Sequence, residues 1–363
     1  MKVMLLASAS SIHSVRWANA LSAEGVEIVL ITQHDQLAEL KPQIRVLKLP
    51  FSGNMGYFRN ASAVRQLLHA ESPDLLHAHY ASGYGTTARL SRFNPTLLSV
   101  WGSDVYEFPT RSPLHRWWLR GNVLAATHVA STSHAMAAEL RKIAPELRDV
   151  SITPFGVETH RFNSVSSDRR SPDAPIVIGT VKTLEPHYGI DVLIDSVAIL
   201  VNARLQDQPE VAARIRLRIV GEGSQREALQ RRALTRGIGA ITEFHGRVPH
   251  GSVPEELSKL DVYVALSRQE SFGVAVIEAG ACGLPVVVSD AGGLPEVVAD
   301  GESGFVVPRE NPTAAAAALH RLVLDADLRR HMGFAGRQRI VSQYDWQDNV
   351  RSMINIYERL TSR

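Results

Sequence analysis

Glu270 and Glu278 flank a glycine turn in the stretch RQESFGVAVIEAGACGLPVVVSDAGG. An apolar run ending near Ser267 reads as a strand, and a helix begins near Gly273. Ser271, Phe272 and Gly273 then present backbone N–H groups at a helix N-terminus, where unpaired donors and the helix dipole favour phosphate. Gly273 lets an anion come close to the backbone. Glu270 lies on the loop before the turn, and Glu278 lies past the first helical turn. Carboxylates do not bind phosphate, but they accept hydrogen bonds from sugar hydroxyls. A ribose on one side and a hexose on the other would use both, which describes a nucleotide diphosphate sugar. The spacing alone is equally compatible with two ordinary helix-edge glutamates. A second glycine turn, Asp290 to Gly293, leads into another helix and adds to the case for a diphosphate.

These groups need a frame. Short apolar runs alternate with amphipathic stretches along the whole chain. Strands are expected over 2–7, 27–32, 74–78, 96–100, 128–131 and 150–153, with helices over 15–24, 58–70, 114–125 and 135–143. Ser14, Ser112 and Ser133 are the expected helix N-caps. A polar, proline-bearing run over 163–175 reads as a linker. The alternation then restarts, with strands over 176–181, 216–220, 241–245, 261–266, 285–289 and 304–307. Helices follow over 189–203, 224–236, 274–281 and 312–324, with a final amphipathic helix from 346. The fold class is therefore α/β, with two doubly wound parallel-sheet domains. The first spans 1–165, joined by the terminal helix 346–363, and the second spans 174–345.

Ligands of open parallel sheets bind at the carboxyl ends of the strands. The residues expected there are Ser8–His13, His79–Tyr80, Trp101–Asp104 and Ser133–His134 in the first half. In the second they are Lys182, Gly221–Gly223, Gly246–Arg247, Ser267–Glu270 and Asp290–Gly293. Polar, glycine and titratable residues gather at this edge in both halves, and two such edges facing each other would form an interdomain cleft.

Composition narrows the classes. A chain of 363 residues exceeds one small core, and at roughly 150 residues per domain two domains are expected. A net charge of +2 gives no sign of a nucleic-acid partner. The single cysteine, Cys282, excludes an internal disulfide and a cysteine zinc cluster and suits a reducing cytoplasm. The opening MKVMLLASAS has too short an apolar run for a signal peptide and reads as a buried strand. No apolar run reaches the roughly 18 residues of a membrane span.

The stretch 270–308, ESFGVAVIEAGACGLPVVVSDAGGLPEVVADGESGFVVP, resembles family-4 retaining glycosyltransferases of the GT-B fold. It carries their E-x7-E pattern with flanking glycine turns. RLRIVGEGSQREAL, ITEFHGRVP, VIGTVKTLEPHYGIDVLIDSV and ITPFGVETHRF support it, and PDLLHAHYASGYG and LLSVWGSDVYEF match more loosely. The resemblance spans nearly the whole chain and is strong in the second half. It implies that Glu270 contacts the transferred sugar and that Ser271, Phe272, Gly273 and Val274 meet sugar and diphosphate. It implies further that Glu278 binds the ribose and that Lys182 neutralises the departing diphosphate. Gly246, Arg247 and Val248 would lie at the nucleobase, with Gly221 on the donor side. No metal and no cofactor are implied; positive side chains and helix ends take the electrostatic role. The implied partners are a UDP or GDP sugar and a saccharide or lipid-linked saccharide acceptor. The chain resembles members that build bacterial surface polysaccharides, which implies a cytoplasmic protein, peripheral at the inner face of the cytoplasmic membrane. It departs from the pattern in three places: His187-Tyr188 stands where lysine is common, Trp101 where many members carry histidine, and Ser8–Ser11 where a glycine pair is usual. Asp104, His13, His79, Trp101 and His134 remain the catalytic and acceptor candidates of the first half.

Other signals have narrower readings. Gly221-Glu222-Gly223 lacks the third glycine of a dinucleotide fingerprint, since Arg226 holds that place. His77 and His79 share a strand face, but no carboxylate or cysteine cluster joins them as a metal site. Arg111, His115, Arg116, Trp117, Trp118 and Arg120 form a basic aromatic stretch suited to an anionic membrane surface, or to ordinary packing with solvated arginines. Three rival functions stay open: a nucleotide-sugar epimerase or hydrolase, a non-catalytic sugar-nucleotide-binding partner, and, more distantly, a nicotinamide oxidoreductase.

Overall fold

The structure is a computed structural model that describes residues 1–36, 39–163 and 174–362. Most of the expected linker, 164–173, lies outside the described residues. Two compact units divide the chain: Met1–Pro154 with Gln347–Arg363, and Phe155–Trp346. The sequence places the first boundary at 165. The structure carries 155–162 on the second unit, where Val157 bridges to Asp345 and Phe155 packs on Phe272.

The first unit holds β1 (Lys2–Leu6), β2 (Glu27–Thr32), β3 (Arg45–Lys48), β4 (Leu75–His79), β5 (Thr96–Val100), β6 (His128–Ser131) and β7 (Val150–Ile152). They form a seven-stranded sheet in the order β3-β2-β1-β4-β5-β6-β7. All its pairings are parallel. β4 and β5 are buried along their whole length, as strands covered on both faces must be. Met4, Leu6, Val29, Leu76, Leu98 and Val129 make the centre of this core. Each such side chain contributes roughly 1.5–3 kcal/mol on burial. The terminal helix Trp346–Thr361 buries Val350, Met353, Ile356 and Tyr357, one stripe at helical spacing.

The second unit holds β8 (Ile176–Val181), β9 (Ile215–Val220), β10 (Thr242–Gly246), β11 (Val262–Ala265), β12 (Val286–Ser289) and β13 (Gly304–Val307). Their order is β10-β9-β8-β11-β12-β13, again with parallel pairings. In both sheets the strand order reverses once, beside β1 in the first and beside β8 in the second. Such a switch point opens a crevice at the carboxyl ends, because the two flanking connections leave in opposite directions.

Four local expectations are corrected. The helix expected from 15 begins earlier as Ile12–Ala23; Ser11, not Ser14, caps it by accepting from the Ser14 amide. The helix expected over 58–70 is two, Gly53–Arg59 and Ala61–Glu71. Asn60 breaks it by bonding through its side chain to both the N–H and the C=O of Phe51, at 3.1 and 2.7 Å. The expected helix 189–203 ends at Ile199 and continues as a π-helical turn, Leu200–Arg204. His79 is the last residue of β4 rather than part of the following loop.

Candidate functional site

At the switch point of the second sheet, β8 delivers Lys182 and β11 delivers Ser267 to Glu270. The two strands are neighbours, and the Lys182 ammonium pairs with the Glu270 carboxylate across the gap. Each side chain is only 11% exposed. Burial works against the charge on Lys182. Glu270, with Tyr263 and Tyr188 nearby, outweighs it, and the ammonium pKa lies above its ordinary value. Lys182 Nζ also stands 4.3 Å from the centre of the Tyr188 ring, a cation–π contact. The crevice therefore holds a buried ion pair whose ammonium stays protonated. Gly221 has a packing reason: a Cβ there would sit 1.8 Å from the Lys182 carbonyl oxygen, and its φ is +146°.

The Gly273 turn opens helix Val274–Ala281. Gly273 has φ 113°, and no side chain caps the helix. Among the described residues, the Val274 and Ala275 amides have no hydrogen-bond partner, and both residues are partly exposed. Phe272 is fully buried against Tyr344 and Phe155, with ring centroids 5.5 and 6.4 Å away, so its side chain anchors the turn. The second glycine turn braces it from behind. The Gly293 amide donates to the Glu270 carbonyl at 3.2 Å, and a Cβ on Gly293 would come within 2.7 Å of the Ser271 carbonyl oxygen. Asp290 is engaged with the Arg309 amide and guanidinium, at 2.9 and 3.0 Å.

Glu278 lies on the same helix with its carboxylate 8% exposed. Its Oε1 is 2.9 Å from His250 Nε2. His250 opens a short turn just beyond Gly246, Arg247 and Val248. Gly246 accepts from the Gly221 amide at 2.8 Å, which ties the β9 and β10 loops together. Arg247 is exposed and has no ion-pair partner among the described residues, and Val248 is half-buried.

Sequence reasoning missed the clamp that fixes the crevice. Arg268 binds Asp191 through two bonds of 2.9 and 2.8 Å, the Pro186 carbonyl at 2.6 Å and Glu310 at 3.0 Å. Its amide donates to the His187 carbonyl at 2.8 Å. The turn bearing Tyr188 is thereby held beside Lys182. An arginine two residues before a glutamate gives no pattern signal; its partner Asp191 is distant in the chain.

In the first unit, β4 and β5 bring together part of what the sequence singled out. The rings of His77 and His79 are 4.5 Å apart, as two residues on one strand face must be. His77 is bonded on both nitrogens, to Tyr357 Oη at 2.6 Å and Ser99 Oγ at 2.7 Å. Burial holds its pKa down to about 3, and His79 is held well below its ordinary value by burial and by His77. His79 packs against Trp101 at 4.4 Å, and His13 stands 6.2 Å from the same indole. Asp104 is buried. Its carboxylate accepts from the Ala81, Gly102 and Trp101 amides at 2.8, 2.8 and 3.2 Å, pinning the loop after β5 to the loop after β4. Burial raises its pKa, and those backbone donors work against that. His134 is exposed at the start of helix His134–Ile143, which Ser133 caps.

The basic aromatic stretch forms helix Pro113–Ala125. Leu114 and Trp117 are 66% and 56% exposed, whereas Trp118 bonds to Thr86 Oγ1 at 2.9 Å. Arg116 donates to the Lys142 carbonyl, and Arg120 pairs with Glu146. No helix among the described residues is long and apolar enough to cross a membrane. Among the same residues no three His, Cys, Asp or Glu side chains gather as a metal site.

Comparison with known proteins adds the following. Residues 163–339 match the family described as glycosyl transferases group 1, and residues 2–133 match the family described as glycosyl transferase 4-like. A D-inositol 3-phosphate glycosyltransferase of Jonesia denitrificans is 26% identical, covering 97% of this chain and 91% of that protein. The protein of the same description from Stackebrandtia nassauensis is 31% identical, covering 78% of this chain and 68% of that protein. The structure of Anabaena Alr3699/HepE in complex with UDP superposes with a TM-score of 0.78 at 19% identity, covering 99% of this chain and 100% of that one.

Proposed function

The chain belongs to the group 1 glycosyl transferases, and we propose from this that it transfers a sugar from a nucleotide diphosphate sugar to a hydroxyl of an acceptor. The observation that carries the reading is the grouping at one switch point of Lys182, two unpartnered helix amides and two carboxylates. The diphosphate rests on the Val274 and Ala275 amides, with Gly273 keeping the approach clear. Lys182 stabilises the charge that grows on the leaving diphosphate, which is the electrostatic role a metal would otherwise fill. Glu270 meets the hydroxyls of the transferred sugar, and Glu278 those of the ribose. Ser271 and Phe272 shape the turn. Gly246, Arg247 and Val248 line the nucleobase, which is that of UDP or GDP.

The transfer retains anomeric configuration: the acceptor oxygen bonds the anomeric carbon on the face the diphosphate leaves, and the acceptor proton passes to the departing phosphate. The first unit takes the acceptor, at His13, His79, Trp101 and His134, with Asp104 positioning the Trp101 loop. The acceptor is a saccharide, lipid-linked in the making of a bacterial surface polysaccharide, and the exposed face of Trp117 with Arg116 and Arg120 meets the membrane. The two relatives described above are named for a different acceptor, D-inositol 3-phosphate. Glu278→Ala should raise donor KM about tenfold, the loss of a hydrogen bond to a charged group, and leave turnover at saturation nearly intact. An unchanged donor KM would remove the assignment. Incubation with donor alone separates the hydrolase or epimerase rivals, which need no acceptor.

A further inference from the structure

Glu278 is a buried carboxylate with an unusual setting. Its side-chain partner is His250, and no lysine or arginine pairs with it among the described residues. A carboxylate oxygen accepts hydrogen bonds, and the His250 tautomer with its proton on Nε2 donates to it. That bond occupies Oε1. Oε2 has no protein partner among the described residues and stays available to a ligand that donates.

His250 is itself braced. Its carbonyl accepts from Arg161 Nη2 at 3.2 Å, and its ring lies against Phe162 at 6.0 Å. Arg337 donates to the Phe162 carbonyl at 3.0 Å and also to the carbonyl of Ala281, at the end of the helix that carries Glu278. The segment behind His250 and the helix behind Glu278 are thus tied to one another. A side chain held from two directions loses little further freedom when a ligand arrives, which is how a preorganised site gains affinity.

We propose that His250 is a positioning residue for the donor: it turns the Glu278 carboxylate so that Oε2 meets a ribose diol, and it couples that contact to the Arg247 loop. This rests on the reading of Glu278 as the ribose-binding group. Because His250 follows Arg247 and Val248 on one short loop, movement at the base is transmitted to the carboxylate at the sugar. His250 acts through Glu278, so its effect falls on binding and on ribose recognition.

The test measures binding of UDP and GDP, and of their 2′-deoxy forms, by calorimetry on the full chain. The wild type should prefer the ribose form of its nucleotide by about tenfold, as expected when a hydrogen bond to a charged group is lost. His250→Ala should lower affinity for the ribose form by a similar factor and shrink the ribose preference to within about twofold, with kcat at saturating donor unchanged. His250→Gln keeps an N–H at similar reach and should retain the preference; His250→Asn is too short and should lose it. That pair decides the matter even if the alanine variant fails to fold. Retention of the full ribose preference in a folded His250→Ala, or equal loss in the Gln and Asn variants, would overturn the positioning role while leaving the donor site in place. A wild type that binds neither nucleotide would overturn both.

Discussion

Lys182 is the residue on which the proposed chemistry turns. A buried ammonium is stable only with a fixed counter-charge, and Glu270 supplies it. Under the proposed reaction the same pair would face a choice: as negative charge grows on a leaving diphosphate, Lys182 would have a second anion to serve. Replacing Lys182 by alanine should lower kcat about 100-fold, the scale of losing one electrostatic donor to a transition state, while donor KM changes far less. Steady-state rates with saturating donor and acceptor check this; full turnover in the variant would remove Lys182 from the reaction. The sequence could name Glu270, Gly273 and Glu278, because a glycine turn between a strand and a helix is a local pattern, and Lys182, because it follows a predicted strand in a stretch that resembles the family. It could not name His250, Arg268 or Arg337. Each acts through a partner far along the chain, and distance in sequence hides the contact.

At the scale of elements, the helix that carries Glu278 owes its position to small residues. Helix Ala326–Gln343 packs on helix Val274–Ala281, and glycines line the approach. A Cβ on Gly333 would lie 2.0 Å from the Gly283 carbonyl oxygen, and one on Gly280 would lie 3.0 Å from Ile340. Backbone cannot yield as a side chain does, so Gly333→Ala should destabilise the second unit by about 1–3 kcal/mol or more and weaken donor binding by shifting Glu278. Urea unfolding together with donor affinity would show it; unchanged values in both would mean the helices tolerate wider spacing. This long helix was invisible in the sequence because its buried positions are Met332, Gly333, Gly336 and Ile340. Half of that face is glycine, so no apolar stripe appears. β3 was missed for a related reason. RVLK is a four-residue edge strand with charged ends, and charge at an edge guards against pairing with another chain. By contrast β8, β13 and helix Val274–Ala281 fall where the apolar runs place them, since each is buried along most of its length.

At the scale of the molecule, the two units differ in how they hold charge. The first buries neutral histidines where the second buries ion pairs. His77 and His79 have pKa values pushed far below ordinary, so below about pH 6.5 the unfolded chain takes protons that the folded chain refuses. Stability conferred by these groups is complete above that pH and is lost progressively as pH falls toward their folded values. Between pH 7.5 and 5.5 the first unit should lose about 2–3 kcal/mol, at roughly 1.4 kcal/mol per pH unit for each histidine. His34, also held low by burial and by Lys48, acts in the same sense. Glu71, lowered to about 2 by Arg45 and Lys2, begins to matter only below its ordinary carboxylate range and leaves this window clean. Tryptophan fluorescence suits the measurement, since Trp17, Trp101, Trp117 and Trp118 lie in the first unit and Trp346 in the second. Stability that stays level over this range would mean that the histidines are protonated inside the fold.

The proposed donor site of the second unit has one most direct measurement, a crystal structure of the chain with a nucleoside diphosphate bound. The diphosphate should lie on the Val274 and Ala275 amides within reach of Lys182 Nζ, with the ribose hydroxyls on Glu278 Oε2. A nucleotide held elsewhere, with those amides and both carboxylates untouched, would contradict the assignment.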